Sequence, residues 1–285
     1  MRLSINHTTG FRYQSPVASS YNEARMVPAT TQHQTVWTSR VTIEPQAWSF
    51  GYIDYWGTNV TTFEVHEPHE RLTVHAQAVV ETRGDYDPWD EEMRVGAADV
   101  GWDALYDRKV IDSMADFLST STRTEPSEEL ATLAKESAAD NPPRLAALDV
   151  CRKVAEHLTY KRGSTSVTST AREVWDGGFG VCQDYTHVVL GALRLIGMPA
   201  RYVSGYLHPG DDDQPNVKVT GESHSWVEWW CGSWVAFDPT VQQRLSEHYV
   251  RVGHGRDYGD VAPLRGTYSG GSSKMFVTVE MTQLG

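Results

Sequence analysis

Trp175-Asp176-Gly177-Gly178-Phe179-Gly180-Val181-Cys182-Gln183-Asp184-Tyr185 runs straight into residues 186–197, where Val188, Val189, Leu190, Ala192, Leu193, Leu195 and Ile196 leave almost no polar face. A segment apolar nearly all round belongs inside a core, and Gly197-Met198-Pro199 stops it, so the stretch reads as a buried helix entered through a glycine-rich turn. Cys182 then stands at the helix N-terminus. Unpaired N–H groups and the positive end of the macrodipole favour a thiolate there. The same N–H groups can donate to an oxyanion formed by attack on a carbonyl. Glycines 177, 178 and 180 permit the tight approach and leave the sulfur open to a substrate.

Downstream, residues 201–207, 223–230 and 234–237 read as strands. The second and third form a hairpin, Ser223-His224-Ser225-Trp226-Val227-Glu228-Trp229-Trp230-Cys231-Gly232-Ser233-Trp234-Val235-Ala236-Phe237-Asp238-Pro239-Thr240. If Cys231, Gly232 and Ser233 are the loop, Trp230 opposes Trp234, Trp226 opposes Asp238 and His224 opposes Thr240. His224 and Asp238 are then diagonal neighbours on one face, whereas a two-residue loop would put them on opposite faces. In that register Asp238 can fix the imidazole tautomer and favour its charged form, while the other ring nitrogen takes the proton of Cys182.

Upstream, residues 102–159 turn helical. Ser127-Glu128-Glu129 opens one amphipathic run, and after Pro142-Pro143 the spacing of Leu145, Leu148, Cys151, Val154 and Leu158 predicts a helix with a buried stripe. Cys151 on that stripe reads as a small hydrophobe. Residues 85–101, acidic and broken by Pro and Gly, read as a linker. Before them, residues 1–84 are short β-type runs separated by turn signals, the pattern of a small β-sandwich. The expected organisation is α+β: a β domain over 1–84, a linker over 85–101, and a core over 102–285 in which helices pack on an antiparallel sheet, closed by a strand at 275–281.

Composition narrows the function. The chain has 285 residues, 40% of them hydrophobic, enough to bury a core without metal or disulfide staples. Lys plus Arg number 25 against 37 Asp plus Glu, a net charge of −12 that repels nucleic acid and anionic lipid. Neither is expected as a partner. Cys151, Cys182 and Cys231 are far apart with no CxxC spacing, and no leader or membrane-length apolar run is read, so a cytoplasmic enzyme without metal or organic cofactor is expected. Other candidates read more plainly as structure: Cys231 as part of the hairpin turn rather than a metal ligand with His224, and Cys182 with His187 as a helical pair lacking further ligands. His66, Pro68 and His69 read as a solvated loop, Asp211-Asp212-Asp213 as an acidic loop with a flap as its functional alternative, and Asn59-Val60-Thr61 as a chance glycosylation pattern. Trp175, seven residues before Cys182, is a candidate cleft residue.

Gly180-Val181-Cys182-Gln183-Asp184, Ala200-Arg201-Tyr202-Val203-Ser204-Gly205-Tyr206, His224-Ser225-Trp226-Val227-Glu228 and Phe237-Asp238-Pro239-Thr240 together resemble the bacterial transglutaminase-like family. Residues 255–263 look like the family's tail. The resemblance implies a papain-like catalytic core behind an N-terminal β domain, with Cys182 as nucleophile, His224 as general base and acid, and Asp238 orienting the histidine. It also implies that the Cys182 N–H is one oxyanion donor, and it leaves the second open, with Trp175 and Gln183 as candidates. Where family members often carry a glycine-rich run after Asp-Pro-Thr, this sequence has Val241-Gln242-Gln243-Arg244. The function expected is acyl transfer from a peptide or protein substrate through a thioester, with hydrolysis by a peptidase or amidase preferred because calcium-loop motifs are lacking. Amine transfer by a protein-glutamine transglutaminase, a binding or scaffold protein with a relic site, and a zinc hydrolase are the alternatives.

Overall fold

The computed structural model describes residues 1–83, 100–210 and 215–285. Apart from Val100 and Gly101, the expected linker lies outside the described residues, as do Asp211, Asp212 and Asp213.

Strand Arg2–Val17 is one continuous run of 16 residues, longer than the short runs expected of this region. Leu3, Ile5, His7 and Thr9 alternate inward with period two, and each lies at 2% exposure or less. The strand sits in the middle of a five-stranded antiparallel sheet ordered Lys218–Thr220, Ser273–Gln283, Arg2–Val17, His69–Thr82, Gln34–Glu44. A four-stranded antiparallel sheet, Leu264–Tyr268, Ser20–Ala24, Asn59–Val65, Ser49–Ile53, faces one end of it. Tyr13, Val17, Leu72 and Val74 bury there against Ala24, Phe63, Val65 and Leu264, which makes the sandwich.

The expected division assigned residues 264–283 to the core, but these strands complete the two sheets of the N-terminal region. Ser273–Gln283 pairs with Arg2–Val17 from Leu3↔Gln283 to Tyr13↔Ser273, and Leu264–Tyr268 pairs with Ser20–Ala24. The cause is burial: Val279 and Met281 pack with Leu3, Ile5, Ala78 and Val80, and pairing removes a long exposed edge. Alternation along 275–281 marks a strand and cannot name its neighbour.

The second layer system is a five-stranded antiparallel sheet ordered Gln243–Arg244, Trp234–Asp238, Glu222–Trp230, Ala200–Leu207, Tyr249–Gly255. Helices Glu128–Asp140, Pro143–His157, Ala171–Gly177 and Cys182–Leu195 share one core with it, joining Leu130, Val150, Val154, Val174, Val189 and Leu193 to Tyr202, Val227 and Trp229. Burial of each such aliphatic side chain stabilises by about 1.5–3 kcal/mol. Caps end these helices predictably: Ser127 accepts from Leu130 N, and Thr170 and Glu173 form a reciprocal box. On Pro143–His157 the expected stripe turns slightly, burying Ala146, Ala147, Val150, Cys151 and Val154 while Leu145 is 49% exposed. Tyr206, Val250 and Val252 of the second sheet meet Leu3 and Ile5, so the long N-terminal sheet spans both the sandwich and the helical half.

His69 departs from the solvated loop expected of it. It is buried, opening strand His69–Thr82, with Nδ1 against the Glu67 carbonyl at 2.7 Å and its ring edge on Tyr13. His66 is exposed beside Glu64. Among the described residues no helix is long and apolar enough to cross a membrane.

Candidate active site

The approach to Cys182 is built by local chemistry. Gly178 caps helix Ala171–Gly177 in the left-handed region at φ 69°, where a side chain would be strained. Gly180 has no room for one either: a Cβ would lie 2.7 Å from Asp184 Cβ. Asp184 needs that closeness, because its Oδ2 reaches back to accept from Val181 N at 2.8 Å and from Thr165 Oγ1 at 2.6 Å. The start of helix Cys182–Leu195 is therefore capped from inside, three residues along. Thr186 Oγ1 donates to the Cys182 carbonyl at 2.9 Å and contacts Ser225 Oγ at 3.3 Å, tying the helix to the neighbouring strand. Cys182 is half-buried at the floor of a cleft.

The hairpin has the three-residue loop, with Trp230↔Trp234, Trp229↔Val235, Glu228↔Ala236 and Val227↔Phe237 in register. That register brings His224 and Asp238 together: Nε2 donates to Asp238 Oδ2 at 2.6 Å, and the carboxylate is fully buried. Two further donors hold Asp238, Tyr249 Oη on Oδ2 at 2.8 Å and the Thr240 N–H on Oδ1 at 2.8 Å. Gln243 Nε2 in turn donates to Tyr249 Oη at 2.9 Å. Among the described residues His224 Nδ1 has no hydrogen-bond partner, and the imidazole lines the same cleft as Cys182, where each group shifts the other.

The shifts agree with an ion pair. Burial resists ionisation of Cys182, but the neighbouring imidazole of His224, and after it Ser225, favour the thiolate and bring the thiol pKa down. Burial also opposes a charged His224, and the Asp238 hydrogen bond followed by Cys182 overcomes it, raising the pKa to about 10. Asp238 suffers the same burial penalty and is held below its ordinary range by His224, Tyr249 and the Thr240 amide.

The segment after Asp238 departs from the glycine-rich run of the resemblance, and its geometry gives the reason. Gln242 adopts φ 55°, the left-handed region glycine favours, and anchors itself through Nε2 to the carbonyls of Cys151 at 2.9 Å and Pro239 at 2.8 Å. Side-chain hydrogen bonds hold here what glycine would permit.

The remaining candidates separate cleanly. Gln183 lines the cleft, whereas Trp175 is buried away from it, stacked on His157 with centroids 3.8 Å apart. His187 is fully buried and accepts from the Tyr258 N–H at 3.1 Å, and burial pushes its pKa down to about 3, so it does not pair with Cys182 in a site. Cys231 is buried in the turn, and Cys151 is buried in its helix with its thiol pKa pushed up. Among the described residues no group of three or more His, Cys, Asp or Glu could hold a metal ion. Tyr249 and Gln243 were not singled out in the sequence, nor was His7, which lines the cleft from strand Arg2–Val17.

The cleft has a volume of about 490 Å³ and two unlike sides. The helical half supplies Cys182, Gln183, Tyr202, His224 and Tyr258, and the long sheet supplies His7, Met275, Val277, Thr278 and Val279.

Comparison with known proteins places this geometry. Residues 3–81 match the bacterial transglutaminase-like N-terminal region, and residues 131–239 match the transglutaminase-like superfamily. Protein ML0607 of Mycobacterium leprae is 40% identical over 284 residues, 99% of each chain. A Pseudomonas aeruginosa protein-glutamine gamma-glutamyltransferase is 31% identical over 88 residues, 30% of this chain and 13% of that one. "The Crystal Structure of a Putative Cysteine Protease from Cytophaga hutchinsonii" matches the fold with a TM-score of 0.71 at 20% identity, covering 98% of this chain and 90% of that one. A bacterial N-terminal region followed by this α+β core, matched along nearly the whole length of a relative, settles the family: the chain belongs to the transglutaminase-like superfamily.

Proposed function

We propose that the chain is a cysteine-nucleophile hydrolase of peptide or amide bonds in a peptide or protein substrate. The observation that carries the reading is the Asp238–His224 pair, 2.6 Å apart and buried, whose histidine lines one cleft with a thiol at a helix N-terminus. The Cys182 thiolate attacks the carbonyl carbon, and the oxyanion is met by the helix N-terminal N–H groups. His224 gives its proton to the departing amine as the C–N bond breaks, leaving a thioester. His224 then takes a proton from water, whose oxygen attacks the thioester. The carboxylic acid leaves and the thiolate–imidazolium pair returns. Asp238 keeps the ring in the tautomer and orientation both steps require. No step calls on a metal or organic cofactor. A cytoplasmic setting goes with this reading, since a reducing compartment keeps the Cys182 nucleophile as a thiol or thiolate.

Passing the acyl group to an amine is the second reading, favoured by the partial match to the Pseudomonas glutamyltransferase. One experiment separates the two. Wild type and Cys182→Ala are incubated with casein, with and without a labelled primary amine, and products are followed by intact mass. Cys182-dependent cleavage or deamidation without label supports the hydrolase; Cys182-dependent labelling replaces it with amine transfer. Identical, unreacted products from both proteins would leave a scaffold with a relic site.

A further inference from the structure

His7 comes from the first strand, 2% exposed, and lines the same cleft as Cys182. Its protonation is fixed by its neighbour. Tyr206 Oη carries one proton and gives it to the Met26 carbonyl at 3.0 Å. Towards His7 Nδ1, 2.9 Å away, the phenol can only accept, so Nδ1 holds the ring proton and Nε2 is a bare lone pair. That Nε2 is buried and has no hydrogen-bond partner among the described residues. Burial keeps the ring neutral, pushing its pKa down to about 4. A buried acceptor left unpaired costs free energy that an arriving donor recovers.

The surroundings say what donor fits. Val279 lies directly across the sheet from His7, Val277 is two residues back along the same strand, and Met275 continues the line. Among the described residues lining the cleft there is no Asp or Glu to neutralise an ammonium group. The site suits an uncharged N–H beside an apolar side chain.

We infer that His7 is a specificity-determining residue of this cleft: its Nε2 accepts a hydrogen bond from a backbone N–H of an extended peptide whose adjacent apolar side chain rests on Val277 and Val279. This rests on the thiol-site reading above and extends it to substrate class. The N-terminal region would thus select what Cys182 acylates.

The test uses acetylated dipeptide aldehydes with apolar side chains, which add reversibly to Cys182 as thiohemiacetals, and analogues in which each backbone N–H is replaced in turn by an ester oxygen. In wild type one replacement weakens inhibition roughly tenfold, the worth of one good hydrogen bond. In His7→Leu the same replacement changes inhibition less than twofold, and His7→Gln, which carries an amide oxygen at similar reach, restores part of the discrimination. Reaction with methyl methanethiosulfonate, which has no N–H, reports that the thiol site is intact in each variant. If His7→Leu fails to fold, Tyr206→Phe substitutes for it, because loss of the phenol frees the ring to protonate Nε2 and lowers the same discrimination. Equal sensitivity to every ester in wild type and the folded variant, with Cys182 still trapped, overturns the inference and leaves the hydrolase standing. Aldehydes that never trap Cys182 in wild type overturn both.

Discussion

Two thiols sit in adjacent helices of one core, one under the charge of Asp238 and the other beside the histidine that Asp238 holds, and their chemistry is pushed in opposite directions. Cys151, in the middle of Pro143–His157, is buried, and after burial the charge of Asp238 raises its pKa further. Cys182, at the first turn of its helix, has His224 between itself and Asp238, and its pKa falls. A carboxylate hinders ionisation of a thiol it faces directly and promotes it through an interposed imidazole, because the imidazolium it stabilises is the nearer charge. Burial alone therefore does not separate a structural cysteine from a reactive one. The group standing beside the sulfur does.

The largest test of that contrast is removal of each thiol. Cys182→Ala is expected to abolish turnover, a loss of at least roughly 10⁴-fold, and with it rapid alkylation of the native protein. Cys151→Ala should leave the alkylation rate unchanged. Peptide mapping after brief iodoacetamide treatment decides between them, and fast labelling at Cys151 would break the comparison.

Asp238→Asn comes next. Without the carboxylate the imidazolium loses its main support, so kcat/KM should fall by roughly 10²–10⁴. The thiol pKa should also climb towards its ordinary value. Stopped-flow alkylation against pH would show the ionisation step moved upward, and an unmoved step would mean that His224 needs no help from Asp238.

In wild type, activity against pH should be bell-shaped. The thiolate is lost as pH falls through the lowered Cys182 value, and the proton needed by the leaving amine is lost as pH rises through the His224 value of about 10. Both limbs belong to the pair rather than to either residue. A profile rising on a single limb up to the ordinary thiol range would argue that no ion pair forms.

Tyr249→Phe sharpens the comparison further. Asp238 Oδ2 would keep His224 and lose a second donor at 2.8 Å, so activity should drop about three- to tenfold and stability by about 1 kcal/mol. Cys151→Ala should move stability alone and leave activity unchanged, costing about 1–2 kcal/mol by thermal unfolding from a small cavity beside Val150 and Val154.

The hairpin was legible because its parity is decisive: one residue more or less in the loop at Cys231-Gly232-Ser233 would turn His224 and Asp238 to opposite faces. Cys182 was legible because glycines and an apolar helix announce a helix N-terminus. Tyr249 and Gln243 were not, since neither a phenol nor an amide carries a spacing signal, and two different strands bring them to Asp238. His7 and Val279 belong to segments about as far apart in sequence as this chain allows, and which strands neighbour each other is settled by burial across sheets rather than by local pattern. Leu145 shows the smaller limit, in that helical spacing defines a stripe to within about one residue and packing selects its centre.

The pairing of Arg2–Val17 with Ser273–Gln283 also sets an order in time. During synthesis the first strand emerges early and waits, with one side unpaired, while the helices and both hairpin strands are made. Only when residues 273–283 leave the ribosome can the second wall of the cleft form. A nascent chain can fold the pocket around Cys182 earlier, but it cannot yet enclose a substrate there. Shortening the chain by a dozen residues at that end would take away part of the cleft itself.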